Sequence, residues 1–337
     1  MVVSSVKRSS MRRGVVLGLC ALALGCSKTQ PTSEASSKAA SSTEAVKLAF
    51  VTNNASEFWR IAAAGVHKFE KEAKVQVDIK MPSTGTTEEQ NQLLENLASQ
   101  GYGGIAVSAI APNDQVPVLD RVAGKSKLIT FDSDAPKSKR LLYIGTDNFK
   151  AGQALGAEIV KLLPAGGKMA VFVGTLAAAN AQQRLEGIEE AIKGHKIEII
   201  DKREDNTDRA KARANVEDII NAHHDLALVA GLWSYNGPAI AAAIEALGKK
   251  GKVLAAVFDE EEGTLNGISS DLIACTVVQK PFQFGYLSSK WAYDLATQGE
   301  PAVGRIPPDK NIDTGVEIIN RANVAEFRSK LAELKKQ

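Results

Sequence analysis

The chain has 337 residues, with 41 Lys and Arg against 39 Asp and Glu, 44% apolar residues and 5% aromatic ones. That length holds two ordinary domains, each with its own core, and the near balance of charge excludes the basic face that nucleic acid requires. No run of about eighteen apolar residues marks a spanning helix, so a soluble globular protein is expected.

Residues 1–26 stand apart. Lys7, Arg8, Arg12 and Arg13 precede an apolar run from Val15 to Leu24, and Gly25-Cys26 follows. This is the basic, apolar, small-residue order of a secretory signal, with Met11 as an alternative start. A small residue followed at once by cysteine resembles a bacterial lipoprotein signal, in which Cys26 is lipidated and becomes the first mature residue. Ala23 departs from the leucine usual three residues upstream, and an ordinary cleaved signal is the alternative. Removal leaves 37 Lys and Arg (41 less 4) against 39 Asp and Glu, a net charge of about −2. Cys20 leaves with the signal and Cys26 carries lipid, so Cys275 has no partner in the fold, and no disulfide is expected. In the apolar run IACTVV it is a small buried hydrophobe. Residues 27–45, rich in Ser, Thr and Ala, cannot bury a core and form a flexible tether.

From Val46 onward short apolar runs alternate with helical periods. The first series is strand 46–52, a helix whose stripe carries Phe58, Ile61, Ala62, Val66, Phe69 and Ala73, strand 75–81, helix 87–100, strand 104–107, helix 114–123, strand 127–131, strand 141–144 and helix 149–163. After a Gly/Pro break at 164–167 come strand 169–173, helix 178–193, strand 196–200, helix 208–222, strand 226–230, helix 238–247 and the strand at Val253. Strand 273–279 and helix 282–297 follow, then GEPAVGRIPP as a loop and an exposed terminal helix within 322–337. Strands alternating with helices imply parallel sheet and right-handed crossovers. Each series ends its last full strand in Phe-Asp, at Phe131-Asp132 and Phe258-Asp259. The fold class is therefore α/β, with two doubly wound parallel-sheet lobes joined by a hinge.

In open α/β sheets ligands bind outside the carboxyl ends of the strands. If the two sheets face each other, Asp132 and Asp259 look across one cleft. The other predicted strand ends offer Asn53, Asn54, Phe58, Trp59, Asp134, Asn180 with Arg184, Trp233 with Asn236, and Gln279. Sugars present apolar ring faces and paired hydroxyls, so flat aromatics beside planar Asp, Asn, Arg and Gln groups suit them. Plainer roles compete: Phe58 and Trp59 as core, Asn236 as a helix cap, and at least two of Glu260, Glu261 and Glu262 as acids favoured by a helix N-terminus. No dinucleotide fingerprint, phosphate loop or nucleophile elbow is present, and His67, His195, His223 and His224 lack metal-ligand spacing. No cofactor, metal or catalytic residue is expected.

The segments VTNNASEFW, VSAIAP, ITFDSDAP, IGTDN, QQRLEG, NGPAIAAAIEAL, VFDEEEGT and TVVQKPFQFG, across about Val46 to Gly304, resemble the ribose-binding type of periplasmic solute-binding protein of ABC transporters (the type I periplasmic binding protein fold). The resemblance implies two lobes joined by three hinge crossings, near Thr146-Asp147, Gln279-Lys280 and Pro307-Pro308. It implies an N-terminal lobe of 46–146 with 280–308 and a C-terminal lobe of 147–279 with 309–321. It implies sugar-bonding roles for Asp132, Asp259 and Gln279, stacking by Phe58 and Trp59, and a match at Asn236 if the insert around Trp233-Ser234-Tyr235 is allowed. Ser133, Gln182 and Ser56 stand where the family has arginine, arginine and asparagine. Arg184 is the nearest guanidinium to the second of these, and Asp134 is an added acid, so the scaffold is retained while ribose itself is not implied. The expected protein is a monomer in the periplasm or cell envelope, touching the membrane only through its lipid, that binds a small sugar and delivers it to an ABC permease in the inner membrane. An autoinducer-type furanose, a cationic ligand, a sensor for a membrane receptor and an exported α/β enzyme are the alternatives. Sugar-responsive repressors share these lobes but carry an N-terminal helix-turn-helix where this chain has its signal and tether.

Overall fold

The computed structural model describes residues 46–54 and 57–335. The expected signal peptide (1–26), the lipidation at Cys26 and the tether (27–45) lie outside the described residues. The first series runs β1 (Leu48–Val51), α1 (Glu57–Ala73), β2 (Val77–Lys80), α2 (Thr87–Ser99), β3 (Gly104–Val107), α3 (Val116–Ala123), β4 (Lys127–Phe131) and β5 (Leu142–Gly145). The second runs α4 (Asn148–Leu162), β6 (Gly167–Val173), α5 (Ala179–Ile192), β7 (Ile197–Glu204), α6 (Arg209–Ala222), β8 (Leu226–Gly231), α7 (Asn236–Ala246), β9 (Leu254–Phe258), α8 (Glu262–Ser269) and β10 (Cys275–Val278). α9 (Pro281–Gln298), α10 (Glu300–Val303), β11 (Asn311–Asp313), β12 (Glu317–Asn320) and α11 (Val324–Leu334) complete the order.

The strands form two six-stranded sheets of the same plan, β11-β5-β4-β3-β1-β2 and β12-β10-β9-β8-β6-β7. β1, β3, β5 and β10 are buried along their whole length, as strands covered by helices on both faces must be. β7 is an edge strand with alternating exposure, and it runs four residues past its expected end because its polar half needs no cover. Cys275 is a free, buried cysteine in β10.

The two outermost strands differ. β11 runs parallel to β5, whereas β12 runs antiparallel to β10. A strand that leaves one sheet at its carboxyl edge and enters the facing sheet at its carboxyl edge must run against its new neighbours. The third crossing therefore lies between Asp313 and Glu317, later than the sequence suggests, and residues 311–313 belong to the first sheet rather than to the C-terminal lobe. The first crossing lies beside it: Thr314 N donates to Gly145 O at 2.8 Å and Asp147 N to Asp313 Oδ1 at 3.1 Å.

Two further expectations change. GEPAVGRIPP is not all loop, since Glu300–Val303 forms a short helix with Ala302 buried in the first core. The terminal helix is not simply exposed. Val324, Phe327 and Leu331 join the second lobe's core, while Leu331 and Leu334 pack against Ile61, Ala64 and Phe282 of the first lobe. α11 thus spans the two lobes.

One helix contact fixes the site directly. A Cβ on Gly152 of α4 would lie 2.1 Å from Arg184 O, and one on Gly187 of α5 would lie 2.1 Å from Phe149 O. Only glycine lets these backbones meet, and their closeness brings Asn148 of α4 against Arg184 of α5.

Candidate functional site

Asp132 and Asp259 close β4 and β9 in the same backbone state, with φ of 55° and 66°. The left-handed region costs a non-glycine residue roughly 1–2 kcal/mol, less for Asp, and such strain collects at functional positions. The surroundings repeat as well. Asp132 N donates to Ile144 O and Asp259 N to Val277 O. Asp132 O accepts from the Tyr143 hydroxyl at 3.0 Å, and Asp259 O from the Thr276 hydroxyl at 2.7 Å. Each lobe therefore holds one aspartate by its backbone on both sides, leaving the carboxylate to side-chain partners: Ser108 for Asp132 and Gln279 for Asp259.

Between them stands Arg184, 2% exposed. Its Nε donates to Asn148 Oδ1 at 2.9 Å, one terminal nitrogen donates to Leu232 O at 2.6 Å, and the guanidinium lies 4.3 Å from the centre of the Phe258 ring. Burial pushes the Asp132 carboxyl up to about 6, a rise opposed by the Ser108 hydrogen bond and the Arg184 charge and helped by Asp259. Burial also raises Asp259, against Arg184 and the Gln279 hydrogen bond, and lowers Arg184 against the two aspartates. One buried cation thus serves two acids, one from each lobe, Asp259 buried and Asp132 half-buried.

The remaining expected residues lie in different places. Gln279 donates to Asp259 Oδ1 at 3.0 Å and stays with the centre. Asp134 and Asn180 line a cleft of about 1040 Å³ that also takes in Asp132, Trp233 and Gln182. Asp134 is already engaged, by Arg140 at 2.6 Å and the Thr130 hydroxyl at 2.5 Å, and Arg140 reaches on to Lys310 O. Its carboxylate therefore ties the first lobe to the β11 crossing. Asn180 Oδ1 accepts from Trp233 Nε1 at 3.3 Å. Asn236 is 1% exposed; it accepts from Trp233 N at 3.0 Å and donates to Asp205 at 3.2 Å, so it holds the Trp233 loop from inside.

Trp59 is a correction. It is 2% exposed, edge-on to Phe131 at 5.6 Å, and lies in the first lobe's core instead of forming a stacking wall. Although it is one position off the helical stripe, the first turn of α1 lies over the end of β4, so two successive aromatics can both face inward. Phe58 is half-buried, edge-on to Trp59 at 4.9 Å, and lines a second chamber of about 310 Å³ beside Asp259.

Sequence reasoning missed Ser108. Trp59 Nε1 donates to Asn53 Oδ1 at 3.0 Å, Asn53 Nδ2 to Ser108 Oγ at 3.1 Å, and Ser108 Oγ to Asp132 Oδ2 at 2.8 Å. This relay orients the Asp132 carboxylate, and its only sequence signal is that Ser108 directly follows β3. Asn148 and Tyr143 were likewise hidden, since each acts through another residue. Among the described residues no group of three or more His, Cys, Asp or Glu is placed to hold a metal ion.

Comparison with known proteins matches residues 48–301 to the model of the periplasmic binding protein domain. The chain is 28% identical to the xylose/arabinose-binding protein of Sulfolobus acidocaldarius over 69% of this chain and 60% of that protein, so the match spans less than two thirds of that relative. It is 25% identical to the ribose import binding protein of Bacillus subtilis over 68% of this chain and 75% of that one. An ABC transporter solute-binding protein from Burkholderia graminis, solved with D-arabinose, superposes with a TM-score of 0.76 at 30% identity, over 82% of this chain and 96% of that one.

Proposed function

We propose a sugar-capture role from one premise: the chain belongs to the periplasmic binding protein family. That family consists of extracytoplasmic solute-binding proteins. The carrying observation is the mirrored pair Asp132 and Asp259, strained alike at facing strand ends with Arg184 between them. A small sugar bound there takes hydrogen bonds from both lobes. Its differential affinity for the closed arrangement stabilises closure, and the closed protein delivers the sugar to an ABC permease. Asp132, Asp259, Gln279 and Arg184 are the groups to which we assign direct contact, with Phe58, Asp134 and Asn180 at the margin. Trp59 and Asn236 support these groups from behind.

No chemical step is assigned to the carboxylates. Residues 1–26 export the chain, lipid on Cys26 holds it to the envelope, and it acts as a monomer. Calorimetric titration with D-ribose, D-xylose, L-arabinose and D-allose tests the reading. One-to-one binding of one sugar, lost in Asp132→Ala and in Asp259→Ala, is expected. Heat from none of the four defeats the reading.

A further inference from the structure

Glu260, Glu261 and Glu262 follow the second strained aspartate, and the structure treats them differently. Glu261 caps α8 and accepts from both terminal nitrogens of Arg209 at 2.9 and 2.8 Å. Glu262 opens α8 and accepts from Arg328 at 2.7 Å. Both are accounted for by the helix end and by these pairs. Glu260 precedes the helix and has no arginine partner among the described residues. It is 8% exposed, and its Oε2 has no hydrogen-bond partner among the described residues. It lines a chamber of about 310 Å³ together with Asp259, Phe58 and Ile61 of α1, Ser234, Leu331 of α11, and the charged Glu261, Glu262 and Lys335.

A buried carboxyl oxygen left without a partner costs on the order of 1–3 kcal/mol, and native proteins retain few of them without a reason. Asp259 itself lines the chamber, so a ligand held there meets Asp259 and Glu260 together. The chamber also combines an aromatic wall with a lining glutamate that keeps one oxygen unpartnered, features that suit a hydroxylated ring. We propose that Glu260 is a ligand-binding, specificity-determining residue that receives a hydroxyl group of the captured molecule in this side chamber. The inference rests on the sugar-capture reading and extends the ligand past the aspartate pair.

The charge state selects the ligand class. Burial first, then Asp259 and Glu261, push the Glu260 carboxyl up to about 8, with Lys335 opposing. At neutral pH the group therefore keeps its proton and offers one donor and one acceptor, the same pair that a hydroxyl offers in return. An ammonium group offers donors only and would have to expel that proton.

The test uses Glu260→Leu and Glu260→Gln in the full-length protein, titrated with D-ribose, D-xylose, L-arabinose and D-allose, alongside thermal melts without ligand. For the sugar that the wild-type protein binds, Glu260→Leu loses about tenfold or more in affinity, whereas Glu260→Gln, which mimics the protonated acid, stays within about threefold. Unchanged affinity in Glu260→Leu overturns the proposal. An equal loss in Glu260→Gln overturns the hydroxyl assignment in favour of a cationic group. If the wild-type protein binds none of the four sugars, the capture reading fails, and the melts still decide on Glu260. A residue kept unpartnered for a ligand is replaced by leucine with a higher melting temperature, and a lower one assigns Glu260 a structural role and overturns the proposal.

Discussion

Replacing Arg184 by methionine tests the electrostatic centre, because its two losses respond differently to pH. The first does not depend on pH. Asn148 Oδ1 and Leu232 O lose their donors inside the protein, and an orphaned buried acceptor costs roughly 1–3 kcal/mol, so we assign about 2 kcal/mol to the pair after methionine refills the volume. The second loss is the charge that lowers Asp132 and Asp259. Asp132 already sits at about 6, above its ordinary 3.8, so the folded state holds its proton more tightly than the unfolded chain does. For such an acid the penalty on folding is absent below the unfolded value and grows as pH rises through the folded value. Without Arg184 both aspartates rise further, and for Asp132 the added penalty emerges only above about pH 6. Each unit of rise adds about 1.4 kcal/mol there, giving about 2 kcal/mol of destabilisation near pH 5 and about 4 near pH 8. At about 2 °C per kcal/mol for a domain of this size, the melting temperature falls by about 4 °C near pH 5 and about 8 °C near pH 8. Melts of wild-type and variant protein at the two pH values make the comparison. An equal fall at both would refute the idea that one buried cation serves both acids.

Gly187→Ala tests the helix contact that carries Arg184. Its Cβ would meet Phe149 O at 2.1 Å and Gln153 N at 2.7 Å, both backbone atoms that cannot turn aside. We expect destabilisation of about 3 kcal/mol together with weakened sugar binding; an unchanged denaturant midpoint would mean that α4 and α5 are free to separate. Leu334→Ala tests the span of α11. Leu334 packs on the first lobe from a helix rooted in the second, so its loss destabilises the closed arrangement more than either core. Stopped-flow release of the bound sugar should accelerate several-fold while the melting temperature moves by no more than about 3 °C. Release at the wild-type rate would remove α11 from the closure.

The duplicated plan is legible because parallel strands covered on both faces leave short, continuous apolar runs, and because Phe-Asp recurs at the same place in both series. What the periodicity does not carry is the last crossing. β11 and β12 are three and four residues long and almost wholly exposed or half-exposed, so neither shows a buried apolar run, and their sheet membership depends on which strand ends they meet. α11 is hidden for a similar reason. Its inward residues serve two partners on different lobes, which widens the apolar stripe and makes the helix look merely amphipathic.

The site separates along the same line. A residue that acts directly from a strand end is legible, because the end of the apolar run fixes its place; Asp132, Asp259 and Gln279 are of this kind. A residue that acts through another is not. Ser108 matters only because Asn53 and Asp132 lie on either side of it, and Asn148 only because glycines bring Arg184 within reach. Trp59 and Asn236 show the converse, since their chemistry suits a sugar but their hydrogen bonds are taken up by Asn53 and by Asp205 and the Trp233 backbone. The acid run after Asp259 makes the distinction sharpest. Three consecutive glutamates are equivalent as a helix-start signal, yet Arg209 and Arg328 arrive from distant helices to engage two of them and leave the third buried, with one carboxyl oxygen unpartnered among the described residues. The difference among the three lies wholly in tertiary contacts, and it is the glutamate without an arginine that remains available to a ligand.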